Sequence, residues 1–110
     1  MNTSVYTIDE IQKIVSQVAI KHGLSKVYLF GSYAKGSADE DSDVDLCIDA
    51  SNIKGLFALG SVYSDLEEAL GKKLDLITLK SLSYNNDKNF VNNLRKESLL
   101  LYERVNWKRL

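Results

Sequence analysis

The sequence contains no proline, one cysteine and one histidine in 110 residues. One cysteine cannot close an internal disulfide, so the disulfide-stapled class of small domains is excluded. No Pro-, Gly- or Ser-rich stretch marks a linker, there is no repeat, and nothing in the chain is low in complexity. Every hydrophobic run is interrupted by charge well short of the ~20 apolar residues that span a bilayer, which excludes a membrane-spanning reading. The first thirty residues lack the basic-then-apolar order of a secretory signal, so the expected compartment is the cytoplasm. A dense basic stripe is missing as well: its nearest approach is Lys108-Arg109, and duplex nucleic acid is a poor expectation as partner.

What is present is an ordinary globular composition, 45% hydrophobic and 26% charged, in a length that fits one domain over residues 1–110. The net charge of −1 conceals an asymmetry. Asp39, Glu40, Asp41, Asp43, Asp45 and Asp49 crowd together with no Lys or Arg among them. Such a cluster repels itself unless a cation neutralises it.

Hydrophobic period and punctuation divide the chain into elements. Thr7 and Glu10 have capping-box spacing, and Ile8, Ile11, Ile14, Val15, Val18 and Ala19 follow at helical period, predicting a helix from Ile8 to His22 closed by Gly23. Lys26 to Phe30 is β-branched and aromatic and runs into Gly31-Ser32, predicting a strand and a tight turn. Asp43 to Asp49 alternates strictly. A strand there puts Val44, Leu46 and Ile48 on a packed face and Asp43, Asp45, Cys47 and Asp49 on an open one. Leu56 to Leu70, stopped by Gly71, predicts a second long helix. Lys73 to Leu79 reads as a strand, Ser81 to Asn89 as a polar turn, Phe90 to Lys96 as a last helix, and Leu99 to Tyr102 as an edge strand in preference to an extension of that helix. The fold class expected is α/β or α+β, a small mixed β-sheet with helices packed on one face.

The chemistry concentrates between Leu29 and Asp49. Gly31 and Ser32 end a strand and open a helical turn, where unpaired N–H groups can hold an anion such as phosphate. Lys35 adds a positive charge, and Gly36 permits close backbone approach. Asp43 and Asp45, about 7 Å apart on one strand face, need a cation between them. Hard oxygen ligands select Mg²⁺ or Mn²⁺, and Mg²⁺ pairs one or two carboxylates with substrate phosphates. Anion cradle and carboxylate pair together imply a metal-bound nucleoside triphosphate. A site for two ions needs a further carboxylate, and Asp75, set between Leu74 and Leu76 in an otherwise apolar strand, is the candidate.

Two rival motifs fail on spacing. An ATPase-type P-loop requires Gly-Lys-Ser/Thr, but the order here is Lys35-Gly36-Ser37. An EF-hand begun at Asp39 or Asp41 puts Val44 or Leu46 at the obligatory glycine, and Ala50 or Asn52 at the bidentate glutamate.

Gly31-Ser32, ten intervening residues, then Asp43-Val44-Asp45, resembles the signature of the minimal nucleotidyltransferases (MNT proteins) in the DNA polymerase beta-like superfamily. Leu29-Phe30, Gly36-Ser37 and the Ser42-to-Leu46 block extend the match, and Asp75 falls where that family places its third carboxylate. Lys35 departs mildly, since many members carry Arg there; the charge is kept and bidentate geometry is lost. The resemblance implies a polymerase beta-like nucleotidyltransferase core. Asp43, Asp45 and Asp75 would hold two Mg²⁺ ions (or Mn²⁺), and Gly31 and Ser32 the phosphates of ATP. Asp75 would also assist deprotonation of an acceptor hydroxyl. It further implies an antitoxin that moves AMP onto a tyrosine of a partner HEPN ribonuclease toxin, in a hetero-oligomer with it. A non-catalytic antitoxin that occludes its partner, and an antibiotic-modifying transferase, stand beside that reading.

Other residues carry plainer expectations. Asp39, Glu40, Asp41 and Asp49 read as a solvated face, Cys47 as a small buried hydrophobe, and His22 as a cation at a helix C-terminus. Tyr84, Tyr102 and Trp107 could line a partner surface, though aromatic residues more often read as core or rim.

Overall fold

The computed structural model describes residues 5–104. Trp107, Lys108 and Arg109 lie outside the described residues. Helix α1 (Ile8–His22) starts at the anticipated box: the Glu10 amide donates to Thr7 Oγ1 at 3.1 Å and the Thr7 amide to Glu10 Oε1 at 2.9 Å. Its stripe Ile11, Val15, Val18 and Ala19 is buried. Strand β1 (Lys26–Phe30) follows, then the one-turn helix α2 (Gly31–Lys35), β2 (Val44–Asp49) and α3 (Leu56–Leu70). The chain continues through β3 (Leu74–Thr78), α4 (Leu79–Leu82), α5 (Lys88–Glu97) and β4 (Leu99–Glu103).

The sheet order is β3-β2-β1-β4. β1 runs antiparallel to both β2 and β4, whereas β2 and β3 are parallel, joined by the α3 crossover that a parallel pair requires. This is the mixed sheet anticipated from the sequence. Helices α1 and α3 pack on one face, closing a core of Ile11, Val15, Leu24, Val27, Leu29, Val44, Leu46, Ile48, Val62, Leu66 and Leu70. They are also clasped at their polar edges, where Asp65 meets His22 Nε2 at 2.7 Å and Lys21 Nζ at 3.0 Å. The hydrogen bond from His22, then that from Lys21, holds the Asp65 carboxyl below its ordinary range. His22 thus has a structural role as a hydrogen-bond partner of Asp65.

Three expectations need correction. Leu79 does not end β3; it opens α4, whose N-cap Thr78 accepts from the Ser81 amide at 3.1 Å. Helix α5 begins at Lys88 rather than Phe90, because the Asp87 carboxylate caps the Phe90 amide. The acidic face of β2 is not open along its length. Cys47 is 1% exposed, under a second apolar cluster of Leu79, Leu82, Val91 and Leu94 contributed by α4 and α5. Burial, then the charge of Asp49, pushes the Cys47 thiol up to about 11, so it stays protonated and inert near neutral pH.

Tyr33, 3% exposed within the main core, carries a hydroxyl with no hydrogen-bond partner among the described residues. A buried hydroxyl left unpaired costs about 1–3 kcal/mol. Tyr33→Phe is therefore expected to raise stability by about 1 kcal/mol, read as a higher urea midpoint; a lower midpoint would mean that the hydroxyl has a partner in solution.

Candidate active site

The strand register assembles the acidic residues. Asp45 on β2 lies directly opposite Asp75 on the parallel strand β3, and opposite Phe30, the last residue of β1, on its other side. Asp43 sits one residue outside β2, where the Val44 amide donates to the Lys73 carbonyl at 3.0 Å. Residues far apart in the chain are thus drawn to one end of the sheet.

Gly31 follows Phe30 and faces Asp45 with no room to spare. A Cβ built on Gly31 would stand 2.9 Å from the Asp45 Cγ and overlap its Oδ2, and the backbone there is left-handed at φ 71°. Both facts demand glycine. The N-cap residue of α2, Phe30, makes no side-chain cap hydrogen bond, so the first-turn amides could take an anion beside the carboxylates. Ser32 lies half-buried in that turn. Lys35, one turn on, pairs with Glu97 Oε2 of α5 at 3.2 Å, and both side chains are about half exposed.

Burial first, then the charges of Asp75 and Asp43 and a hydrogen bond to Asp75, raise the Asp45 carboxyl from its ordinary 3.8 to about 6. Asp75 itself is exposed on the edge strand, and Asp43 is half-buried. Among the described residues no three His, Cys, Asp or Glu side chains close into a finished metal cage. The donor set is nonetheless hard oxygen, and crowding that pushes a carboxylate toward its neutral form is what a divalent cation would relieve. Asp43, Asp45 and Asp75 could hold such a cation together with oxygens of a bound phosphate.

The raised Asp45 value has a sign. An acid whose folded pKa exceeds its unfolded value favours folding most below the unfolded value, and that contribution is lost as pH rises from about 4 to about 6. Two pK units are about 3 kcal/mol, and solvent screening of this half-buried group reduces the effect to about 1 kcal/mol. The stability of Asp45→Asn relative to wild type is thus expected to rise over that interval and stay level above it, by urea titrations at pH 4, 5, 6 and 7. A flat difference would remove the crowding argument.

Two neighbours carried no local sequence signal. The Tyr63 hydroxyl on α3 donates to the Leu74 carbonyl at 3.1 Å, with Glu67 Oε2 at 3.3 Å, and so braces the strand edge one residue before Asp75. Burial and the carboxylates of Glu67, Asp75 and Asp43 push its phenol up. Lys72, 3% exposed, donates to the Glu40 carbonyl at 3.3 Å and anchors the loop that leads into Asp43. In that loop Asp39, Glu40 and Asp41 are exposed, as anticipated.

Comparison with known proteins shows the family. The profile of the family described as polymerase beta, nucleotidyltransferase matches residues 10–106. The protein adenylyltransferase MntA of Thermococcus cleftensis is 34% identical over 83 residues, covering 72% of this chain and 84% of that protein. A Methanocaldococcus jannaschii protein provisionally named a protein adenylyltransferase is 36% identical over 75 residues, covering 68% of this chain and 81% of its own length. Among solved structures, a toxin-antitoxin with AMP-PNP superposes with a TM-score of 0.65 at 21% identity, over 84% of this chain and 73% of that one. A complex of a tri-AMPylated Shewanella oneidensis HEPN toxin with an MNT antitoxin gives 0.61 at 18% identity, over 89% and 74%. These two superpositions speak for the fold. The matched profile and the relatives that share a third of their residues over most of their length identify the chain as a member of the polymerase beta nucleotidyltransferase family.

Proposed function

We propose that this chain is a metal-dependent protein adenylyltransferase. It transfers AMP from ATP to a hydroxyl, a tyrosine of a partner HEPN toxin, and so acts as the antitoxin in a cytoplasmic complex. The observation that carries the reading is the register of Asp45 with Asp75 beside Gly31, which sets a carboxylate pair against an anion cradle. The relatives named protein adenylyltransferase supply the acceptor class.

In this reading the amides of Gly31 and Ser32 and the ammonium of Lys35 hold the β- and γ-phosphates. Asp43, Asp45 and Asp75 would hold two divalent ions, Mg²⁺ or Mn²⁺, whose charge would offset the negative charge developing in the displacement. The acceptor oxygen attacks the α-phosphorus, the bond to the β-phosphate oxygen breaks, pyrophosphate leaves, and the hydroxyl proton passes to the Asp75 carboxylate. Asp75 suits a macromolecular acceptor because it is exposed on an edge strand, where a protein surface can approach. Asp45, half-buried and in contact with Gly31, is positioned instead by the fold.

The test is intact-mass spectrometry of a co-expressed HEPN partner incubated with this protein, ATP and Mg²⁺. A gain of whole AMP units on the partner is expected. A stable complex with no gain would overturn transfer and leave occlusion, and turnover on an aminoglycoside without any protein partner would overturn the acceptor.

A further inference from the structure

The ion pair between Lys35 and Glu97 joins two elements distant in sequence, α2 beside the carboxylates and the last residue of α5. It stands in a cleft of about 350 Å³ that also includes Gly31, Phe90 and Asn93. Glu97 is poorly placed for its own helix, since a negative charge at a helix C-terminus opposes the macrodipole. It pairs with Lys35, and it lines the same cleft as Gly31.

We propose that Glu97 sets the affinity for nucleotide: in the nucleotide-free protein its carboxylate occupies Lys35, and binding exchanges it for a phosphate oxygen on the same ammonium. The inference rests on the reading above that Lys35 meets the nucleotide's phosphates. The energetics favour exchange. A half-exposed lysine–glutamate pair contributes little in water, whereas a triphosphate brings several negative charges to a single ammonium. A lysine, as a compact point charge with freely rotating donors, releases one anion for another more readily than a guanidinium held bidentate. While the exchange is incomplete, only the fraction of molecules with Lys35 released is competent, and apparent affinity falls by that fraction. Glu97 thereby also ties the C-terminal end of α5 to occupancy of the site.

The experiment is calorimetric titration of the full chain with α,β-methylene-ATP and Mg²⁺, a ligand that binds without transferring AMP. Glu97→Gln is expected to tighten Kd by about two- to fivefold, and Glu97→Asp, which keeps the charge, to tighten it less. Lys35→Met is expected to weaken binding, and in that background Glu97→Gln should change Kd hardly at all. Unchanged affinity in Glu97→Gln overturns the exchange, and so does an equal tightening without Lys35, which would be a general charge effect. AMP transfer assayed on the same preparations separates the two levels. Transfer with no Glu97 effect removes only the exchange; a wild-type chain that neither binds the analogue nor transfers AMP removes both.

Discussion

Replacing Asp43 and Asp45 together by asparagine is expected to lower AMP transfer by about a thousandfold or more while the fold persists. Charge stabilisation at a single transition-state contact is worth two to three orders of magnitude, and this pair holds the proposed ions that neutralise both ends of the displacement. Asparagine keeps the volume of aspartate, so the close approach of Gly31 is undisturbed. Relief of the Asp45–Asp75–Asp43 repulsion should leave the thermal midpoint unchanged or somewhat higher near neutral pH. Mass spectrometry of the partner and a melting curve check the two halves. Transfer within tenfold of wild type would remove the assigned role. A double variant that transfers nothing but still protects cells from the partner, at equal abundance, would locate neutralisation in binding.

The second large effect is at Gly31. Gly31→Ala meets two costs, an alanine in left-handed backbone at about 1–2 kcal/mol and an overlap with the Asp45 carboxylate. Gly36 provides the comparison. It also has positive φ, 77°, but an added Cβ there meets nothing within 4 Å, so Gly36→Ala carries the backbone cost alone. Gly31→Ala is expected to cost about 2–4 kcal/mol, lowering the melting temperature by about 10 °C, with Gly36→Ala at about a third to a half of that. Gly31→Ala should also abolish transfer, because the alanine displaces the carboxylate opposite Asp75. Shortening that side chain with Asp45→Ala should bring the cost of Gly31→Ala down toward that of Gly36→Ala, since residues in contact couple and distant ones add. Equal penalties at the two glycines in wild type would mean that β1 and α2 yield to make room.

The reasons these residues could be found differ. Helix α1 was legible to its ends because Thr7, Glu10 and Gly23 are local signals, each acting within one turn. The pair Asp43 and Asp45 was legible for the same reason, as strand alternation needs no knowledge of neighbours. Helix α4 was not: four residues make hardly more than one turn, and Leu79 continues the apolar run of β3. The start of α5 could have been read from Asp87, a capping residue three positions before Phe90. The cover over Cys47 comes from α4 and α5, so the parity of β2 could separate two faces but could not say that the second is shielded as well. The direct opposition of Asp45 and Asp75, the overlap at Gly31 and the Lys35–Glu97 pair are long-range facts that only the assembled sheet supplies.

The sheet order also bears on how the protein is made. Strand β1, which delivers Gly31, is flanked on one side by β2 and on the other by β4, whose Glu103 pairs with Lys26 across most of the chain. Closing so long a loop is slow relative to forming α1 or the β1–β2 pair. During synthesis, therefore, one edge of β1 stays unpaired until β4 emerges, and its free amides and carbonyls can recruit a foreign strand. The strand that ends at Gly31 is thus open to mispairing in the newborn chain until β4 arrives to cover its free edge.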